Sequence, residues 1–140
     1  PDKSSAMLRS VLSKAYSTAR NGLPDNEDMG CHSAFYICGM IGLYPMMGQD
    51  WYFLTAPAFT HSEIALGRTG KRFVISAPEA SPDHLYIASA KLNGRPLHQA
   101  WITHDMITAG AVLAYELSTS PTTWGRSPTP PSPMSNALID

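Results

Sequence analysis

The twenty-one residues from Met29 to Gln49 contain no Asp, Glu, Lys or Arg, and three acids, Asp25, Glu27 and Asp28, stand directly before them. A membrane-spanning helix needs about 20 predominantly apolar residues. This run is interrupted by Gly30, Gly39, Gly42 and Pro45, and it holds His32 and Ser33. It therefore reads as a helix from about Asp28 to Leu43, limited by Pro45 and buried inside a large soluble assembly. Its apolar residues cover most of the helix circumference, so other helices have to wrap it.

A first helix precedes it. Met7, Leu8, Val11, Leu12, Ala15 and Tyr16 recur at three- and four-residue spacing, which predicts an amphipathic helix over about 3–19. Asn21-Gly22 ends that helix and Pro24 marks a loop. From Trp51 the period changes to two, and five or six short antiparallel strands are expected between Trp51 and Ser118. Asn93-Gly94 is a strong hairpin signal. Thr103 reads as the N-cap of a helical turn that Gly110 terminates. The organisation is therefore a helical zone over 1–48 with an acidic loop at 21–30, a β-rich zone over 49–120, and a Pro/Ser-rich tail over 121–140, extended or disordered. Two helices cannot bury an all-round apolar helix. The missing wall is expected from a longer precursor or from a second chain.

Several function classes fall away on charge. The net charge is −1, and the ten Lys and Arg are scattered, with no run longer than Lys71-Arg72. Nucleic acid and anionic membranes both demand a concentrated basic patch, so neither is expected as a partner. The opening residues, PDKSSAMLRS, are polar and charged, unlike a signal peptide. Cys31 and Cys38 are seven positions apart, about 10.5 Å along a helix axis, too far for a disulfide between them.

The acidic loop admits two readings. Asp25, Glu27 and Asp28 can cap the following helix, satisfying its free N–H groups and complementing its positive end. They can also present an active-site carboxylate on a Gly/Pro-framed loop at a rigid helix end. His32, four residues after Asp28, is placed either to touch that carboxylate or to sit as a satisfied buried histidine. His61 and Glu63 share a strand face but lack a third metal ligand. His104-Asp105 reads as turn structure. Trp51, Trp101 and Trp124 read as core or interface anchors ahead of sugar-stacking platforms.

The stretch GLPDNEDMGCHSAFYICGMIGLYP resembles the signature of the glycoside hydrolase family 92 α-mannosidases. There a Gly-Leu-Pro-Gly-Asn/Asp-Asp/Glu-Asp-x-Gly loop leads into a Met-Ser-Ala-Trp helix ending in Gly-Phe-Tyr-Pro. YFLTAPAFTHSEIAL, LYIASAKLNGRPLHQAWITHDMITAGAVLAYELS and PTTWG resemble the family's following strand, its Asn-Gly hairpin with Thr-His turn and closing strand, and its Pro-x-x-Trp-Gly end. Asp25 stands where Gly is usual, Cys31-His32 where Gln-Met or Gly-Met is common, and Phe35 where Trp is common.

The resemblance implies an α+β fragment: the last helices of an (α/α)6 barrel followed by a small antiparallel β-rich region, with an N-terminal β-sandwich in the full enzyme. It implies an inverting, Ca2+-dependent, exo-acting removal of α-linked mannose, α-1,2 linkages favoured, from mannans or N-glycans, in a secreted or periplasmic enzyme. By the motif, Asp28 takes the general-base place, Asn26 falls where many members carry a second carboxylate, and Glu27 supports them. Asp25 and His32 would contact substrate. The general acid and most Ca2+ ligands would lie upstream of Pro1, and no metal site is expected within this chain. The alternative is a non-catalytic β-rich carbohydrate-binding or interaction module in which the acidic loop is only a cap.

Overall fold

A computed structural model describes residues 1–131 of the chain. Helix α1 spans Asp2–Ala15, α2 Cys31–Ile41 and the short α3 His104–Thr108. The strands are β1 Leu43–Pro45, β2 Trp51–Leu54, β3 His61–Ala65, β4 Arg72–Ser76, β5 Tyr86–Leu92, β6 Arg95–Leu97, β7 Trp101–Thr103 and β8 Ala111–Ser118.

Both long helices are shorter than their apolar spacing predicts, and tertiary contacts are the reason. Helix α1 stops at Ala15 instead of continuing to residue 19. Tyr16 is extended (φ −120°, ψ 142°) and its ring leans on α2, 5.3 Å from Tyr36 and 6.1 Å from Phe35. The chain then closes on itself: Ser17 N–H donates to Gly22 O and Gly22 N–H to Ala19 O, each at 2.9 Å. A Cβ at position 22 would collide with the Ser17 carbonyl, so this closure demands glycine. Asn21-Gly22 thus shapes a loop and does not end a helix. Helix α2 begins three residues later than expected, because a 3-10 turn over Asp28–Gly30 puts Met29 at φ 55° and Gly30 at φ 79°. It ends at Ile41, capped by Gly42, and Leu43 enters the core as the first residue of β1.

Seven strands, not five or six, lie between Trp51 and Ser118, and they are not all antiparallel. One sheet runs β1-β2-β7, with Leu43 opposite Leu54 and Phe53 opposite Trp101. The other runs β3-β4-β8-β5-β6, and within it β4 and β8 are parallel, Phe73 opposite Ala111. Alternation along a strand decides which face is buried and is silent about which strand lies alongside. The expected hairpin is present: Asn93 and Gly94 have φ 50° and 78° between β5 and β6. So is the expected cap, with the Thr103 hydroxyl accepting from Met106 N–H.

The two sheets share one apolar core, built around Phe73, Ile75, Leu113 and Tyr115 with Leu54 and Ile102 from the smaller sheet. The first part of the tail is tied to it. Trp124 packs on the core and its Nε1 donates to Leu97 O at 2.8 Å, while the Thr122 hydroxyl donates to Ile87 O at 2.6 Å. The rest of the predicted tail, 132–140, lies outside the described residues. Trp51 is buried edge-on against Phe53, in keeping with an anchor. Cys31 and Cys38 are free thiols.

Helix α1 is fastened to the β region by Ser5, whose hydroxyl accepts from Ala56 N–H, and by Arg9, which donates to Ala56 O. It meets α2 at Gly39, where an added Cβ would come within 2.8 Å of Leu12 Cδ1. Gly39 is the sole buried residue of α2, and Ile37 is 57% exposed. The wall that α2's composition requires is not supplied by these residues. Leu12, 2% exposed, fills the α1–α2 contact. Leu12→Ala should cost about 2–5 kcal/mol, read as a lower denaturation midpoint, whereas Met7→Ala, at a side chain 67% exposed, should stay within about 0.5 kcal/mol.

Candidate active site

The loop between α1 and α2 carries the acids, and its three carboxylates are in three different situations. The first turn of α2 has free N–H groups, and its N-cap, Gly30, has no side chain to meet them. Glu27 meets them from outside the helix: its Oε1 accepts from Ser33 N–H at 3.0 Å. Hydrogen bonding from Ser33, hydroxyl and backbone, holds Glu27 below the usual carboxylate range, the nearby His32 helping and burial opposing. The second Glu27 oxygen is buried with no partner among the described residues. Asp25 is engaged locally, its Oδ1 accepting from Asn26 N–H at 2.8 Å. Asp28 is exposed and makes no side-chain hydrogen bond among the described residues. The capping expected of the three acids together is thus performed by Glu27.

His32 does not sit one helical turn beyond Asp28 as the spacing predicts, because the left-handed residues Met29 and Gly30 interrupt the helix between them. Its Nδ1 is instead 3.1 Å from the Tyr16 hydroxyl. Tyr16, Phe35, Tyr36 and Tyr44 continue from there as a chain of ring contacts. Tyr16 was not singled out by spacing, since its position belongs to the same stripe as Leu12. Only the loop closure takes it off that stripe.

Glu63 pairs with Arg72 across β3 and β4, and no group of three His, Cys, Asp or Glu gathers as a metal site among the described residues. His104 stacks on Tyr52, with its Nδ1 2.9 Å from the Tyr52 hydroxyl. A concavity of about 450 Å³ lies between α1, α2 and the small sheet, walled by Leu8, Phe35, Tyr44, Phe53 and Trp101. No carboxylate among the described residues lines it.

The Glu27 contact has a pH signature. A carboxyl more acidic in the folded state stabilises fully above its ordinary value, 4.5, and loses that effect as pH falls through the lowered value. Glu27→Gln should therefore lower the melting temperature near neutral pH and flatten its dependence on acidity, in melts taken between about pH 3 and pH 7. Parallel acid-side curves for the variant and wild type would refute the cap.

Comparison with known proteins identifies the family. The model of the glycosyl hydrolase family 92 catalytic domain matches residues 1–119. A protein of Arthroderma benhamiae described as an uncharacterized secreted glycosidase is 29% identical over 136 residues, covering 94% of this chain and 18% of that protein. Two solved Bacteroides thetaiotaomicron structures are similar. A family 92 inverting mannosidase is 32% identical with TM-score 0.77, over 85% of this chain and 16% of that one. A family 92 α-mannosidase is 27% identical with TM-score 0.86, over 94% of this chain and 18% of that one, and it has also been solved with mannoimidazole. The chain spans less than a fifth of the length of these relatives. No helix among the described residues is long and apolar enough to cross a membrane. The matched residues run from α1 through β8, and the chain belongs to glycoside hydrolase family 92.

Proposed function

We propose that the chain is the C-terminal part of an inverting, exo-acting α-mannosidase in which Asp28 is the general base. The observation that carries this is the division of labour in the loop. Glu27 is committed to Ser33, while the next residue, Asp28, keeps an exposed carboxylate with both oxygens available. Inversion needs a carboxylate that takes a proton from water while the water oxygen attacks the anomeric carbon from the face opposite the leaving group. A separate acid protonates the departing oxygen, and that group belongs to the rest of the protein. Asn26 can orient the water through its amide but cannot accept its proton. Asp25 and His32 are assigned to sugar hydroxyls, and Glu27 supports the base by fixing the loop to α2. The similar α-mannosidase solved with mannoimidazole supports a mannosyl substrate here, with α-1,2 linkages of mannans or N-glycans favoured.

Calcium is part of the proposal, but the residues described here do not make a site for it. Ca2+ takes six to eight oxygen ligands, and no three acids, His or Cys converge among the described residues. By the family resemblance its ligands are assigned mostly outside this chain, and no step above passes through it. The remainder of the enzyme, as a longer precursor or second chain, is also the partner that would wrap α2. The secreted description of the fungal relative supports a secreted or periplasmic location.

In the full-length protein, Asp28→Asn should lower kcat at least about 100-fold with the melting temperature preserved. Glu27→Gln should do the reverse, costing stability more than rate. Near-normal kcat in Asp28→Asn would return the chain to the alternative of a non-catalytic carbohydrate-binding or interaction module. The 140-residue chain alone should not turn over an aryl α-mannoside, because it lacks an assigned general acid; measured turnover would overturn the division of the site.

A further inference from the structure

Tyr16 departs from its helical surroundings in both backbone and side chain, and the departure brings it to the acidic loop. It is the first residue after α1, extended where the apolar stripe would have it helical. Its ring stays packed on Phe35 and Tyr36, and its hydroxyl ends 3.1 Å from His32 Nδ1. The loop that follows is therefore fastened to α2 twice. Tyr16 holds its start to His32, and Glu27 holds its end to Ser33, the next residue of the same helical turn. Between the two fastenings, residues 17–26 are exposed except for Gly22.

We propose that Tyr16 is a positioning residue that, through its hydroxyl, sets the orientation and tautomer of His32 and closes the start of the loop onto α2. This rests on the mannosidase reading of the loop. Burial first, and then the neighbouring Cys31 and Glu27, keep the Tyr16 hydroxyl protonated, so it can donate to Nδ1. An imidazole that accepts at Nδ1 carries its proton on Nε2. His32 is then left with one free nitrogen, an N–H donor, which suits an oxygen of the sugar hydroxyls that an exo-acting mannosidase must recognise.

The test uses the full-length protein. Tyr16→Phe keeps the ring on Phe35 and Tyr36 and removes only the hydroxyl. kcat/KM for an aryl α-mannoside should fall about tenfold, the equivalent of one net hydrogen bond, with the loss carried by KM and the melting temperature little changed. Amide hydrogen exchange should rise in peptides spanning Ser17 to Gly30 and not in β4 or β8. In a His32→Ala background, Tyr16→Phe should cause no further loss, because the two act as one unit. A kcat/KM within twofold of wild type, or a full tenfold loss that persists without His32, overturns the proposal. If the wild-type protein does not hydrolyse α-mannosides at all, the functional reading fails by itself. Exchange then decides the tether: a rise in Tyr16→Phe keeps it, and unchanged exchange removes it.

Discussion

The free N–H groups at the start of α2 are the constraint around which this region is arranged. A helix that begins at a glycine has no side chain of its own at the cap, and its first turn must be satisfied from elsewhere. Glu27 does this only because the backbone turns left-handed at Met29 and Gly30, which brings a residue six positions upstream back over the helix end. The same reversal carries Asp28 outward. A helix that simply continued from Asp28 would have spent that carboxylate on its own first turn. The capping contact and the free carboxylate, which would fall to one residue in a plain helix start, are distributed here over two neighbours.

That arrangement is useful only if α2 itself does not move, and the β region sees to this. Gly42 turns the chain directly from α2 into β1, whose Leu43 pairs with Leu54 and lies in the core shared by both sheets. Helix α1 is fixed independently, through Ser5 and Arg9, to Ala56 just beyond β2. Both ends of the acidic loop therefore trace back, each through one helix, to β2 or the residues just beyond it. A site whose carboxylates stand on a loop gains rigidity from the elements on either side of it.

Much of this was legible from the chain's periodicity, and the failures have physical causes. The two helices, the Asn93-Gly94 hairpin and the Thr103 cap follow from local chemistry, since each is decided by residues a few positions apart. The helix ends were not legible: Tyr16 leaves α1 for a ring partner in α2, and Leu43 leaves α2 for a strand partner in β2. Nothing near Phe73 in sequence announces that it will lie parallel to Ala111. At the loop, the clustering of acids before an uncharged helix showed where a capping carboxylate would be found. Which acid caps it was hidden, because the answer depends on Met29, a residue with no intrinsic preference for φ 55°. Tyr16 was hidden for the same reason that α1 was found: its spacing is that of a core residue.

The position of β8 in the larger sheet has a consequence for how the chain reaches this state. β3-β4 and β5-β6 are both local hairpins, able to form as soon as their own residues are available. They do not touch one another, because β8 lies between β4 and β5 and joins them. β8 is the last strand among the described residues, and its parallel pairing with β4 spans the intervening β5, β6, β7 and α3. During synthesis the two hairpins must wait with their facing edges open until Ser118 has emerged. Such edges are templates for pairing with other chains. The interval before β8 arrives is when this region is most exposed to misassembly, and loop-closure entropy makes that strand slow to dock.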